Sequence, residues 1–228
     1  MDARTIQLRR PPVLVRVEGR FVPPGVELAE VDRRWDALCA ANPRYFDGSM
    51  LQVLGVSRNG HGGVQIHVQE CSYRFYAVQK TGLDCGVRPI GVKAVTIVGG
   101  RALMGRRSTT VAFYPGLWEF VPGGGLEPGV DPAQQIAREL HEEAHLAPSA
   151  PAVAVALLFD PHAFTWEIVH RMELSAGAVP DAGRDGGWEY DEFRMVGLDG
   201  PVPEPLAPVA QQMLPIARRL LAGAQPRQ

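Results

Sequence analysis

The sequence predicts an α+β fold in which a mixed β-sheet is layered with helices. Strand-like segments stand on both sides of one strongly capped helix, and an amphipathic helix closes the chain. The composition, 46% hydrophobic and 21% charged, is that of a globular protein and excludes a disordered or fibrous one. At 228 residues there is room for one large domain, or one domain with an appendage. A chain of this size buries roughly 70% of its unfolded surface and needs no covalent staples.

The opening, Gln7 to Val17, reads as an extended segment interrupted at Pro11 and Pro12, and Val22 to Gly25 is a turn. From Glu27 to Ala41 the apolar residues Leu28, Val31, Trp35, Leu38 and Cys39 recur at helical spacing, and Asn42-Pro43 stops that helix. Met50 to Val56 and Val64 to Val68 alternate as two strands around Asn59-Gly60. Tyr73 to Gln79 is a short helix, and Thr81 to Pro89 a connector.

The second half opens with a strand, Gly91 to Val98, and a hairpin through Gly99-Gly100 into Ala102 to Arg106. Phe113 to Gly125 is a loop rich in aromatic and turn residues. Pro132 to Ala144 is a helix, with Asp131 as N-cap, Pro132 at the first helical position and Gln134 completing a capping box. Val153 to Phe159 and Thr165 to Leu174 are paired strands, Pro180 to Gly187 a polar loop, and Glu192 to Leu198 a last strand. Pro205 to Ala222 is the closing helix, interrupted at Pro208 and Pro215. Residues 1–85 are expected to form an N-terminal α+β region packed on a main domain, 86–228, that ends in this helix.

The 23 basic and 25 acidic residues give a net charge of −2, with no electrostatic footprint for nucleic acid or an anionic membrane. Cys39, Cys71 and Cys85 are too scattered for a zinc site or a disulfide framework, so reduced thiols and a cytoplasmic location are expected. Met1 to Arg20 lacks the apolar stretch of a signal peptide, and the longest apolar run, Ala152 to Phe159, is far short of a membrane span.

The informative stretch is Gly123 to Leu146. On a helix, Glu139, Glu142 and Glu143 stand at i, i+3 and i+4, so the three carboxylates share one face while Ile136, Leu140 and Ala144 form the other. Arg138 can pair with Glu142 but does not neutralise three acids. Hard divalent cations with oxygen ligands, Mg²⁺ or Mn²⁺, would. A solvated acidic face would carry the same residues. The glycine-dense turn Phe120-Val121-Pro122-Gly123-Gly124-Gly125 running into the helix favours the metal, because glycines let backbone groups approach an ion or a phosphate.

This segment resembles the Nudix box, G-x5-E-x7-R-E-U-x-E-E-x-G-U, where U is aliphatic. Gly124 matches the first glycine, Arg138-Glu139-Leu140 the R-E-U, Glu142-Glu143 the E-E, and Leu146 the last aliphatic position. Pro115 to Phe120 is similar to the family's approach to the box. Two positions depart: Val130 stands where the family has glutamate, and His145 where it has glycine. Neither departure touches the three glutamates. The family's glycine closes the helix in a left-handed conformation, which histidine tolerates better than a β-branched residue does.

The resemblance implies an α/β/α sandwich and a hydrolase that splits the pyrophosphate linkage of a nucleoside diphosphate joined to another group. It implies Mg²⁺ or Mn²⁺ held by Glu139, Glu142, Glu143 and Gly124, with Arg138 in support and a bound water made acidic. A loop acid beside the metals would take the proton. Trp188 to Glu192 offers Glu189 first and Glu192 second. Arg106 and Arg107 are the candidates for balancing phosphate charge. Tyr114 and Trp118 would either stack on a base or pack in the core. His141 and His145 read as surface residues of the helix rather than ligands.

In the first 85 residues, Trp35, Asn42-Pro43, Phe46-Asp47-Gly48 and Cys71-Ser72-Tyr73-Arg74-Phe75 are similar to the N-terminal region of the UDP-sugar diphosphatase branch. That branch implies UDP-glucose or UDP-galactose as substrate, cleaved to UMP and sugar 1-phosphate. The alternatives are ADP-ribose, a dinucleotide or a coenzyme A derivative, or a Nudix-fold nucleotide sensor without turnover. The N-terminal region also leaves room for a homodimer surface.

Overall fold

The computed structural model describes residues 2–180 and 188–224. The polar loop expected at Pro180 to Gly187 therefore falls, past Pro180, outside the described residues.

The extended opening divides at Pro11-Pro12 into β1 (Arg4–Gln7) and β2 (Val13–Phe21), which join different sheets. Proline lacks the N–H a ladder needs, so the break falls there. α1 (Leu28–Ala41) begins after Glu27 and ends at Asn42, whose extended backbone is the conformation forced on a residue before proline. β3 (Ser49–Arg58) and β4 (Val64–Ser72) form an antiparallel hairpin, and β2 runs parallel to β4 to complete a three-stranded sheet. α2 (Tyr73–Ala77) passes into a 3-10 turn, Val78–Thr81.

The larger sheet begins with β5 (Ile90–Val98) and β6 (Arg101–Arg107), joined through Gly99 and Gly100 at φ 53° and 76°. The segment Phe113 to Gly125, expected as loop, contains two three-residue strands, β7 (Trp118–Phe120) and β8 (Gly123–Gly125). Neither is long enough to show periodicity, and three glycines have no strand propensity of their own; pairing with β6 and β5 imposes both. α3 (Pro132–Ala144) is followed by β9 (Val153–Asp160), β10 (Thr165–Glu173), β11 (Tyr190–Val196) and α4 (Pro208–Ala224). The sheet order is β1-β9-β10-β5-β6-β11, and β10 runs parallel to β5 while the other pairings are antiparallel.

α3 caps as expected at Asp131, which accepts from the backbone N–H groups of Ala133 and Gln134 at 2.9 and 3.2 Å. Among the described residues Gln134 returns no bond, so the cap is one-sided. α4 is not broken by its prolines: Pro208 opens it and Pro215 lies inside. At the first helical position proline has no N–H to lose from the ladder.

The sandwich follows from which faces are apolar. α3 buries Ile136, Leu140 and Ala144 with Val92, Ala94 and Ile168 on one face of the sheet. α4 buries Val209, Met213, Ile216 and Ala217 with Val95, Ile97 and Val169 on the other. Each large aliphatic side chain buried this way stabilises by about 1.5–3 kcal/mol. The small sheet joins the α3 side through Leu51, Val53, Ile66 and Val68. α1 and α2 close a third cluster around Val31, Cys71, Phe75 and Val78.

Candidate active site

β8 lays its glycines along β5, with Gly123 opposite Lys93, Gly124 opposite Val92 and Gly125 opposite Gly91. α3 crosses this strand and brings Glu139 against Gly124. A Cβ on Gly124 would collide with the Glu139 carboxylate, so any side chain there would push that carboxylate out of its place. Glu143, one turn on, is 5% exposed; its Oε1 accepts from the Gly123 N–H at 3.4 Å, and its Oε2 is buried without a partner. Glu142 turns to solvent and pairs with Arg138 at 3.6 Å. Arg138 also pairs with Glu127 and donates to Gln135 at 3.0 Å, while Gln135 donates to Glu139 at 2.5 Å.

Beside this strand lies a cavity of about 680 Å³. Gly123, Gly124, Gly125, Glu139, Arg107 and Glu189 line one side. The N-terminal region supplies another, with Tyr45, Phe46, Tyr73 and Tyr76. Phe46 is 79% exposed, and Arg44 sits over the Trp188 ring at 5.2 Å.

Of the residues expected from sequence, Glu139, Gly124, Glu189, Arg107 and Tyr114 line this cavity. Arg106, Trp118, Arg138, Glu142 and Glu143 do not, and for Arg106 and Trp118 the strand pleat is the reason. Successive side chains of a strand point to opposite faces, so Arg107 faces the cavity while Arg106 faces out and pairs with Glu192 at 3.4 Å. Likewise Glu119 faces in, and Trp118, 3% exposed, packs in the α4 cluster with Arg194 over its ring at 4.6 Å. Tyr114 sits in the left-handed region at φ 54°, and its hydroxyl donates to Asp160. Such a conformation costs a non-glycine residue about 1–3 kcal/mol, and the fixed hydroxyl holds it in place.

Three charged residues of the floor were not singled out by sequence: Lys93, Glu119 and Glu167. Lys93 donates to Glu119 at 2.8 Å. Arg107 bonds Glu119 and Glu189 at 3.0 Å each, and the Tyr190 hydroxyl donates to Glu119 at 2.8 Å. Burial opposes the charge of Glu119, but Lys93 and Arg107 outweigh it and hold the carboxyl at about 2. The same pairing raises Lys93 above its usual range against the pull of burial. Glu167, on β10, is 7% exposed, and burial pushes it up to about 7. Burial also raises Glu139, and raises Glu143 well above the usual carboxylate range, with Glu189, Glu119 and Glu139 adding to the rise at Glu143. A legible signal was there: each of the three is a lone charge inside an apolar strand, in Gly91-Val92-Lys93-Ala94-Val95, Trp118-Glu119-Phe120 and Trp166-Glu167-Ile168.

Glu119, Glu139, Glu143, Glu167 and Glu189 thus face two cations, Lys93 and Arg107, with Glu143 Oε2 still unpaired. Carboxylate oxygens and a glycine carbonyl are hard donors, so the residues fit a divalent cation. Among the described residues no three acidic, imidazole or thiol side chains already converge on one point. Mutual repulsion accounts for that spread, with Glu142 drawn to Arg138 and Glu139 to Gln135.

Comparison with known proteins gives the family. The NUDIX domain model matches residues 87–215. Solved structures similar to the chain include a MutT NUDIX hydrolase from Burkholderia pseudomallei (22% identity, 55% of this chain and 95% of that one, TM-score 0.44). A NUDIX hydrolase from Nitrosomonas europaea gives 23% identity over 60% and 73% of the two chains, with TM-score 0.46. An ADP-ribose pyrophosphatase from Streptococcus suis gives 16% identity over 61% and 93%, with TM-score 0.42. A search of curated proteins finds no match. With a glycine strand laid against an acidic helix, and with the family's pattern running through more than half its length, the chain belongs to the NUDIX family and is a Nudix hydrolase.

Proposed function

We propose that the protein hydrolyses UDP-glucose or UDP-galactose to UMP and the sugar 1-phosphate. In this reading residues 1–85 form an N-terminal region that walls the cleft of a hydrolase domain, 86–228. The observation that carries it is the wall itself. The segments Phe46-Asp47-Gly48 and Ser72-Tyr73-Arg74 meet at one bridge: Asp47 accepts from the Ser72 hydroxyl at 2.5 Å and from the Arg74 N–H at 2.9 Å. That bridge braces the loop carrying Phe46 against the cavity facing the glycine strand. Polar groups set in such a wall reject a base that leaves them unpaired far more strongly than an apolar pocket does.

Glu139, Glu142, Glu143 and the Gly124 carbonyl are the groups that would hold Mg²⁺ or Mn²⁺. Bound there, the ion supplies neutralising charge for the diphosphate and lowers the pKa of a coordinated water. Arg107 brings a positive charge to the diphosphate and fixes Glu189, the nearest loop acid, as proton acceptor. Tyr114, held by Asp160, lines the same cavity.

The test is kcat/KM for UDP-glucose, ADP-ribose, ADP-glucose and a dinucleotide at one Mg²⁺ concentration. A preference for UDP-glucose is expected. An adenine compound preferred by tenfold or more defeats the uridine reading and leaves ADP-ribose or a dinucleotide as substrate. No turnover of any compound with either metal makes the protein a nucleotide sensor.

A further inference from the structure

The box glutamates all come from one helix, yet the cavity floor holds a buried carboxylate from the opposite side of the glycine strand. Glu167 lies on β10, where the parallel ladder sets it directly across from Gly91 of β5. Gly91 is itself opposite Gly125 of β8. A Cβ on Gly91 would stand 2.6 Å from Glu167 Oε2 and 2.8 Å from the Gly124 carbonyl oxygen. The missing side chain therefore leaves one small opening shared by two oxygens, a carboxylate from β10 and a backbone carbonyl from β8. The Cα side of the same Gly124 lies against the Glu139 carboxylate. Gly124 is flanked by a carboxylate from α3 and a carboxylate from β10.

Ordinary packing does not account for the placement. Glu167 is 7% exposed and lines the cavity, in a strand whose neighbours Trp166, Ile168 and Val169 are buried and apolar. Of the floor cations, Lys93 is committed to Glu119 at 2.8 Å, and Arg107 bonds Glu119 and Glu189 at 3.0 Å each. On the helix side, Glu143 Oε2 is buried with no hydrogen-bond partner among the described residues. An acid kept in a water-poor floor with the local cations already engaged takes up a proton or is met by a positive charge from elsewhere.

The geometry points to Glu167 as a further ligand of the divalent cation, supplying a carboxylate oxygen from the sheet across the Gly124 carbonyl from Glu139. Hard dications take six or more oxygens and accept carboxylates and backbone carbonyls together, so a helix-only set leaves positions for a group on this side. The inference rests on the metal-dependent reading above and adds a residue that no box position contains. It also gives Gly91 a purpose, since alanine there would fill the opening between the two oxygens.

The test reads metal binding without turnover: Mn²⁺ titrated calorimetrically into metal-free protein at pH 7.5, for the wild type, Glu167→Gln, Glu167→Asp and Glu139→Gln. Loss of a ligand is expected to raise the Mn²⁺ Kd of Glu167→Gln at least about tenfold. Its melting temperature in EDTA should be equal to or above that of the wild type, because a buried charge has been removed. Glu167→Asp keeps the charge but withdraws the oxygens by one methylene, and it should weaken Mn²⁺ binding as well, which provides the measurement if the glutamine variant does not fold. Wild-type affinity in either Glu167 variant, with Glu139→Gln weakened, overturns the role of Glu167 and leaves the helix site standing. Wild-type affinity in Glu139→Gln and in both Glu167 variants overturns the metal reading as a whole.

Discussion

Glu119, on β7, and Glu143, on α3, are both buried but have been driven in opposite directions by their neighbours. Glu119 met two cations and stays ionised at about 2; Glu143 met other carboxylates and is pushed up. Their substitutions should separate accordingly. Glu143→Gln removes a charge the metal-free fold carries at a cost, so melting temperature should hold or rise. Turnover in saturating Mg²⁺ should fall at least about a hundredfold, on the order of 2.7 kcal/mol of barrier. Near-normal turnover in that variant would sink the helix as metal site. Glu119→Gln does the reverse: it strands the Lys93 ammonium and the Arg107 guanidinium, and stability should drop by about 3–5 kcal/mol, read as a lower urea midpoint. The pH sign follows. Glu119 is depressed below its unfolded value of 4.5, so its contribution is full above pH 4.5 and lost as pH falls toward 2. Wild type should therefore lose stability over that window and Glu119→Gln should lose less; parallel acid-unfolding curves would refute the pairing. The carboxylates of the helix were legible from spacing, whereas Lys93, Glu119 and Glu167 have no period to pick them out and were legible only as single charges interrupting apolar runs.

Among the elements, the legible ones carry their own signals. α3 was readable to the residue because its cap, its first-turn proline and its apolar stripe all lie within the helix. β7 and β8 were unreadable because their stability comes from β6 and β5, so the pleat that settles Trp118 in the core and turns Glu119 to the cavity was hidden; Arg106 lies on β6, read as a strand, but a strand by itself does not tell which of its faces meets the cavity. The box departure at His145 is an element-scale matter too. His145 caps α3 at φ 54° and ψ 34°, the left-handed conformation expected there, and its Nε2 is buried without a partner. His145→Gly removes both the backbone strain and the orphaned nitrogen, so stability should be equal or improve by up to about 1 kcal/mol. A clear fall in melting temperature would mean that the imidazole makes a contact the cap geometry does not account for.

At the scale of the molecule, the small sheet and helices ahead of β5 are bound to the larger sheet at several points. The Tyr76 hydroxyl donates to the Ala163 carbonyl at 2.7 Å, Arg88 sits over the Phe164 ring at 4.7 Å, and the cavity wall is drawn from both halves. Deleting residues before Thr81 should therefore abolish turnover or solubility, measured as soluble yield and specific activity; a fully active truncated protein would reduce that region to an accessory surface. The sandwich class was legible from strands flanking a capped helix, but the route of β1 was not, since four residues cannot announce a partner some 150 positions away. That route has a consequence for how the chain is made. β1 is made about 150 residues before the strand it must pair with, Val153–Asp160. Throughout synthesis its four residues wait undocked, and until they return the outer rim of β9 is a bare edge open to a strand from another copy. The vectorial order of translation thus makes the covering of that edge a late event that depends on residues made long before it.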